Sequence, residues 1–166
     1  MGKGTTFTIY LPHATVPPRE RAVVEEPQLR NGSWETVLVC DDDDDVRKLV
    51  VEVLRLRAYT ILSARSGEHA LEVARKHGGP IHLLVSDLAM PGLGGLELGA
   101  QLRSRDPSLR VLYISGYNDG ADRLASPREP GVHFLPKPVL PADLTSAVSQ
   151  ILEAAPGDSS HRASEE

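Results

Sequence analysis

Between Thr36 and Ala154 the chain alternates two kinds of apolar segment, and that alternation restricts the fold more than any other property of the sequence. Short β-branched or aliphatic runs occupy residues 36–40, 59–63, 81–86, 109–114 and 132–135. Stretches with helical spacing lie between them. Val46, Leu49, Val50, Val53 and Leu54 recur at i, i+3, i+4, i+7 and i+8, which predicts one buried helix face. Ala70, Leu71 and Ala74 mark a second helix, with Ser66 as N-cap and Gly78-Gly79 as its stop. Leu96 to Leu102 and Leu144 to Leu152 mark two more, and a short helix over 119–126 is weakened by Gly120 and stopped before Pro127. Parallel strands need helical crossovers, so five strands alternating with five helices predict a doubly wound α/β fold, a parallel sheet covered on both faces. The first, third and fourth runs are nearly continuously apolar, as strands buried on both faces should be.

Composition narrows the class. The chain has 166 residues, 40% of them hydrophobic and 25% charged, which suits one soluble domain of about 100–150 residues plus tails. A formal charge of -5 argues against polyphosphate partners, so nucleic-acid binding is not expected. A single cysteine excludes a disulfide framework and any cysteine-based zinc site. No apolar run approaches the roughly 18 residues that cross a bilayer, and no signal-peptide pattern opens the chain. The expectation is a cytoplasmic chain whose residues here make no membrane contact. Residues 12–33 hold four prolines (Pro12, Pro17, Pro18 and Pro27) without sustained periodicity, which is the composition of a linker. The stretch from Pro156 onward reads as a flexible tail.

In open parallel sheets, function gathers beyond the carboxyl ends of the strands. One step past the first run stands Asp41-Asp42-Asp43-Asp44-Asp45, and past the third stands Asp87, followed by Met90-Pro91-Gly92. Past the fourth come Ser115-Gly116, and past the fifth Lys137-Pro138. Carboxylates brought to one edge repel each other and either raise a pKa or recruit a cation. A hard divalent cation such as Mg2+, held by one or two carboxylates and several waters, is the natural partner. A phosphoryl group then fits the site, with Lys137 as second cation, Ser115 as donor and the Asp87 carboxylate as acceptor.

The segments VLVCDDDDDVR (37–47), LLVSDLAMPGLGG (83–95), VLYISGY (111–117) and FLPKP (134–138) together resemble the response-regulator receiver domain of two-component signalling. The likeness covers about 119 of the 166 residues in the family's order and spacing. It implies a flavodoxin-like fold with strand order 2-1-3-4-5. It also implies that Asp87 is the phosphoacceptor, that Asp41 and Asp42 form the acidic pair, and that Mg2+ binds Asp42, Asp87 and the backbone carbonyl of Ala89, with Asp41 nearby. Ser115 would be the switch hydroxyl, Lys137 the phosphate-pairing lysine, Phe134 the aromatic switch position, and the Lys137-Pro138 peptide cis. The implied partner is a histidine kinase or a histidine phosphotransfer protein. The domain would accept a phosphoryl group and switch protein contacts rather than turn over a substrate, with slow autodephosphorylation. Residues 2–12, with Phe7, Ile9 and Leu11 alternating as one apolar face, resemble the closing strand of a histidine-kinase ATP-binding domain. The expected layout is that of a hybrid sensor kinase: kinase remnant 1–13, linker 14–34, receiver 35–154 and tail 155–166. The kinase's nucleotide loop and phosphorylated histidine are absent from the sequence, and only 12 residues follow Ala154, so output is expected through protein contact or onward phosphotransfer.

Other chemistries fit less of the sequence. Asp41, Asp43, Asp45 and Glu52 fall at positions 1, 3, 5 and 12 of an EF-hand loop, but Val46 stands where its turn needs glycine. Asp42 to Val46 also resemble the nucleophile signature of haloacid-dehalogenase-like phosphatases, which need a longer chain or a cap and leave Met90-Pro91 unexplained. A binding module that keeps the fold without being phosphorylated would be expected to have lost one of Asp41, Asp42, Asp87, Ser115 or Lys137. Asp43 to Asp45 suit the N-terminus of the first helix. Cys40 reads as a small buried hydrophobe, Trp34 as packing where linker meets domain, and the scattered histidines have no ligand spacing.

Overall fold

The run Thr36–Cys40 becomes a fully buried strand, and the rest of the sheet assembles around it. A computed structural model of the protein describes residues 34–116 and 129–153. In chain order the elements are β1 (Thr36–Cys40), α1 (Asp44–Arg55), β2 (Thr60–Ala64), α2 (Gly67–His77), β3 (Leu83–Asp87), α3 (Gly95–Arg105), β4 (Arg110–Ser115), β5 (Val132–Pro136) and α4 (Pro141–Glu153). All neighbouring strands pair in parallel, in the order β2-β1-β3-β4-β5. The expected helix over 119–126, the kinase-like residues 1–13, residues 14–33 of the linker and the tail 155–166 lie outside the described residues.

Alternation along the strands sorts the core into two layers. Val37, Val39, Leu83, Val85, Leu112 and Ile114 face one way and pack with Val50 and Leu54 of α1 and Leu144 and Val148 of α4. Leu38, Leu84, Val111 and Tyr113 face the other way and pack with Ala70 of α2 and Leu98 and Leu102 of α3. Residues in β1, β3 and β4 serve both layers, which is why those runs carry almost no polar side chains.

Local chemistry sets the helix ends. Asp43 caps α1, its Oδ1 accepting the N–H groups of Asp45 at 2.8 Å and Val46 at 3.2 Å. Ser66 caps α2 through the N–H of His69, and Gly78 ends that helix in the left-handed region, both as expected. The stripe on α1 differs from expectation: Leu49 is 44% exposed and Val51 is buried. Val46, Val50, Val53 and Leu54 pack on the core as the spacing predicts, and Val51 rather than Leu49 completes the inward face, with the mostly buried Arg47 beside it. Trp34 remains 72% exposed, with its ring edge-on to His82 at a centroid distance of 4.7 Å. His82 is structural, as its Nδ1 accepts the Thr36 N–H at 2.9 Å. Cys40 is buried with its Sγ 3.6 Å from Met90 Sδ, and burial above all, then the charge of Asp41, pushes its thiol up to about 12.

Strand ends also differ by a residue or two, with a consequence for the site. Asp87 and Ser115 are the last residues of β3 and β4 rather than the first residues beyond them. Asp87 pairs with Ile114 and Ser115 with Pro136 in the parallel ladder. Main-chain pairing is indifferent to side-chain polarity, so the ladder runs on past the last apolar residue and holds both polar side chains on rigid backbone.

Candidate functional site

Three carboxylates meet where β1 and β3 end. Asp41 directly follows β1, and its N–H still donates to Ala64 of β2 at 3.3 Å. Asp42 follows it on the exposed side, and Asp87 closes β3. One carboxylate oxygen from each of Asp41, Asp42 and Asp87 can lie within 4.8 Å of the other two. Lys137, one residue past β5, donates from Nζ to Asp87 Oδ2 at 2.9 Å. Its peptide with Pro138 is cis, and its N–H donates to the Ser115 carbonyl at 2.8 Å, which places it beside β4.

The electrostatics are unbalanced in one direction. Asp41 and Asp87 are 2% and 5% exposed. Asp41 Oδ1 accepts the Asp43 N–H at 2.8 Å, but Asp41 Oδ2 and Asp87 Oδ1 are buried without a hydrogen-bond partner among the described residues. Burial raises the Asp41 carboxyl above its ordinary range, and the charges of Asp87 and Asp42 add to the rise, against the Asp43 N–H and Lys137. Two buried carboxylate oxygens with no donor are costly unless a cation reaches them. A hard divalent ion that takes oxygen ligands and keeps several waters fits this donor set, because one side of the cluster, at Asp42, is open to solvent. The residues present therefore suit Mg2+.

Most of the other expected residues fall near this cluster. Ser115 is 6% exposed at the end of β4 and adjoins Lys137. Ala89 sits exposed in the bend that follows β3, two residues beyond Asp87. Phe134 is not at the cluster. It lies half-buried on the face covered by α3, with its ring 5.4 Å from that of Tyr113 and tilted by 40°. Tyr113 shares a strand face with Ser115, two residues along β4, and so links that end of the sheet to Phe134. Burial pushes the Tyr113 hydroxyl up to about 12.

The remaining aspartates take helix duties. Asp43 is held below the usual carboxylate range by the Val46 and Asp45 N–H groups, and Asp44 by Arg47. Neither Asp43 nor Asp45 joins the cluster, and α1 has begun by Asp44. An EF-hand loop is thereby excluded.

Two side chains that sequence reasoning passed over contribute here. Arg47 is mostly buried; its Nη1 donates to the Asp41 carbonyl at 2.7 Å and its Nη2 to Asp44 Oδ1. That contact pins the loop bearing the acidic pair, and the available signal was the i, i+3 spacing from Asp44. Glu68, at the start of α2, accepts the Leu93 N–H at 2.8 Å across 25 residues, for which sequence spacing offers no signal.

Residues 37–149 match the sequence profile of the response regulator receiver domain. The chain is 36% identical over 162 residues to the sensor kinase CckA of Brucella abortus, covering 92% of this chain and 17% of that kinase. It is 32% identical over 119 residues to the response regulator receiver protein CpdR of the same organism, covering 72% of this chain and 98% of that protein. The crystal structure of a receiver domain from the hybrid histidine kinase CckA superposes with a TM-score of 0.60 at 36% identity, over 71% of this chain and 99% of that one. The response regulator TrrA of Thermotoga maritima, solved in complex with Mg(2+)-BeF, gives a TM-score of 0.60 at 27% identity over 71% of this chain and 99% of that one.

Proposed function

The chain belongs to the response regulator receiver domain family, the phosphoacceptor module of two-component signalling, and from that premise we propose that it takes a phosphoryl group from a phosphohistidine onto Asp87. The observation that carries this assignment is the pair of buried, unpartnered oxygens, Asp41 Oδ2 and Asp87 Oδ1, facing one cluster with Lys137 at its side.

Asp87 is suited to be the nucleophile because the end of β3 fixes its backbone while Lys137 holds one carboxylate oxygen. One Asp87 oxygen forms the bond to phosphorus as the donor's P–N bond breaks, and the imidazole leaves with the electron pair of that bond. Lys137 pairs with the phosphoryl oxygens, and the Ser115 hydroxyl donates to one of them. Asp42, Asp87 and the Ala89 carbonyl, with Asp41 nearby, would hold Mg2+, which would supply neutralisation of the charge that develops on those oxygens. Movement of Ser115 toward the phosphoryl group is relayed along β4 to Tyr113 and Phe134, whose partly exposed ring reports the state to a protein partner. In this reading the domain is a self-catalysed phosphoacceptor rather than an enzyme with a turnover substrate, and it is placed in the cytoplasm. No helix among the described residues is long and apolar enough to cross a membrane.

We further assign the chain to a hybrid kinase layout, with a kinase remnant over 1–13, a linker over 14–34, the receiver over 35–154 and a tail over 155–166. The match to CckA supports this, since it takes in 92% of the chain whereas the receiver profile ends its match at 37 and 149. The phosphodonor is then a histidine kinase or a histidine phosphotransfer protein.

Backbone and side-chain NMR with Mg2+ and beryllofluoride, the ligand pair named for TrrA, tests the site and the switch together. Resonances of Ser115, Tyr113 and Phe134 should move in the wild type and stay in place in Asp87→Asn. Equal shifts in the two proteins would put the acceptor elsewhere.

A further inference from the structure

We propose that Glu68 of α2 is a positioning residue for the cation site, acting through the loop between β3 and α3; the inference rests on the function proposed above. The carboxylates of the cluster, Asp41, Asp42 and Asp87, stand on or beside strand ends, which hold them rigidly. The main-chain ligand does not, because Ala89 belongs to the loop 88–94, which has no regular structure. Both ends of that loop are tied close to the sheet: Leu88 N–H donates to the Ile114 carbonyl at 3.1 Å, and Gly95 N–H to the Leu88 carbonyl at 3.3 Å. Its outer part is tied by Glu68, whose Oε1 accepts the Leu93 N–H at 2.8 Å.

Packing shows that this contact is built into the backbone. A Cβ on Gly67 would stand 2.2 Å from the Leu93 carbonyl oxygen and 2.7 Å from Leu93 Cβ, so the first turn of α2 and the loop touch main chain to main chain. Gly92 takes φ of 74°, a conformation that other residues adopt only at a cost, and a Cβ there would stand 2.6 Å from Glu68 Oε1. The loop therefore turns beneath the Glu68 carboxylate. That carboxyl is held below its ordinary range by main-chain N–H groups, its own and that of Leu93, and by the Ser66 hydroxyl, so it stays an ionised acceptor. No residue of α2 belongs to the carboxylate cluster, so α2 bears on the cation through its contacts with this loop, of which the Glu68 latch is the side-chain one. Without it, closing the coordination shell would also require ordering the outer loop, and affinity would fall by that ordering cost.

The test is the Mg2+ dissociation constant, measured by isothermal titration calorimetry on the whole chain for wild type, Glu68→Ala, Glu68→Gln and Asp42→Asn, with melting temperatures and the Leu93 amide resonance recorded for each. Glu68→Ala should bind Mg2+ about three- to tenfold more weakly, the range of one net hydrogen bond, and its Leu93 amide should lose protection from exchange. Glu68→Gln keeps an acceptor oxygen and should restore both to within about twofold of wild type. A residue that only braced the fold would lower the melting temperature of Glu68→Ala and leave the dissociation constant alone, and that result overturns the inference. Equal weakening in Glu68→Ala and Glu68→Gln overturns it as well. Wild-type protein with no Mg2+ affinity, or with affinity unchanged in Asp42→Asn, overturns the site reading and the latch with it. Wild-type binding that is lost in Asp42→Asn but intact in Glu68→Ala sinks the latch alone.

Discussion

Replacing Asp41 with asparagine should stabilise the metal-free protein while weakening its response to Mg2+. Asp41 is 2% exposed, and a carboxylate oxygen of it lies within 4.8 Å of carboxylate oxygens on Asp87 and Asp42. Two unit charges 4.8 Å apart repel by about 3–4 kcal/mol at an effective dielectric of about 20. Attraction to Lys137 and the Asp43 N–H offsets part of that repulsion, and asparagine Oδ1 keeps the Asp43 hydrogen bond. The substitution removes the repulsion and the burial of a charge, and it sets amide N–H groups beside carboxylate acceptors. A net gain of about 1–2 kcal/mol follows, which for a domain of this size raises the melting temperature by about 3–8 °C. The gain depends on pH. Because the folded-state pKa of Asp41 is raised above its ordinary 3.8, its favourable contribution to metal-free stability is complete below 3.8 and is lost as pH rises through the folded value. Asparagine has no such titration, so the two melting curves should nearly coincide in acid and separate as pH rises from 3.8 toward neutrality. Millimolar Mg2+ should narrow or reverse the gap, since the cation binds the assembled wild-type site more tightly and stabilises it by linkage. The assay is thermal melting by circular dichroism in chelator and in Mg2+ across that pH range. An Asp41→Asn protein that melts at or below wild type at neutral pH in chelator would refute the reasoning.

Asp42→Asn should abolish most of the Mg2+-dependent rise in melting temperature, whereas Asp45→Asn, outside the cluster, should leave it unchanged; thermal melts of each with and without Mg2+ decide. Asp43→Ala removes the cap of α1 and should cost about 1 kcal/mol, visible as an earlier urea midpoint with an unchanged slope. Leu54 is fully buried against β1 and β3, so Leu54→Ala should cost about 2–5 kcal/mol in the same urea assay, and a loss under 1 kcal/mol would contradict the described core.

The fold was legible because its signals are periodic. Continuous apolar runs at Thr36–Cys40 and Leu83–Val85, separated by helical spacing, leave few alternatives to a covered parallel sheet. The carboxylates were legible for a related reason: a buried strand ending at Cys40 places Asp41 and Asp42 at the sheet edge whatever the rest of the aspartate run does. Three features were not legible. The exposure of Leu49 and burial of Val51 are decided by packing against α4 and by the Arg47 anchor, because both side chains flank the stripe of Val46, Val50 and Leu54 and spacing alone does not choose between them. Tyr113 is hidden inside an apolar run, and only the β4–β5 register brings it beside Phe134. The Glu68–Leu93 contact joins residues on different elements with no periodic relation.

The central claim is that Asp87 is the phosphoacceptor and that Mg2+ is required for it to act. Intact-mass spectrometry after incubation with acetyl phosphate and Mg2+ measures this directly on wild type and on Asp87→Asn. The account predicts one added phosphoryl group on the wild type, lost when Mg2+ is chelated and absent from Asp87→Asn. An added phosphoryl group on Asp87→Asn, or none on wild-type protein that binds Mg2+, would contradict it.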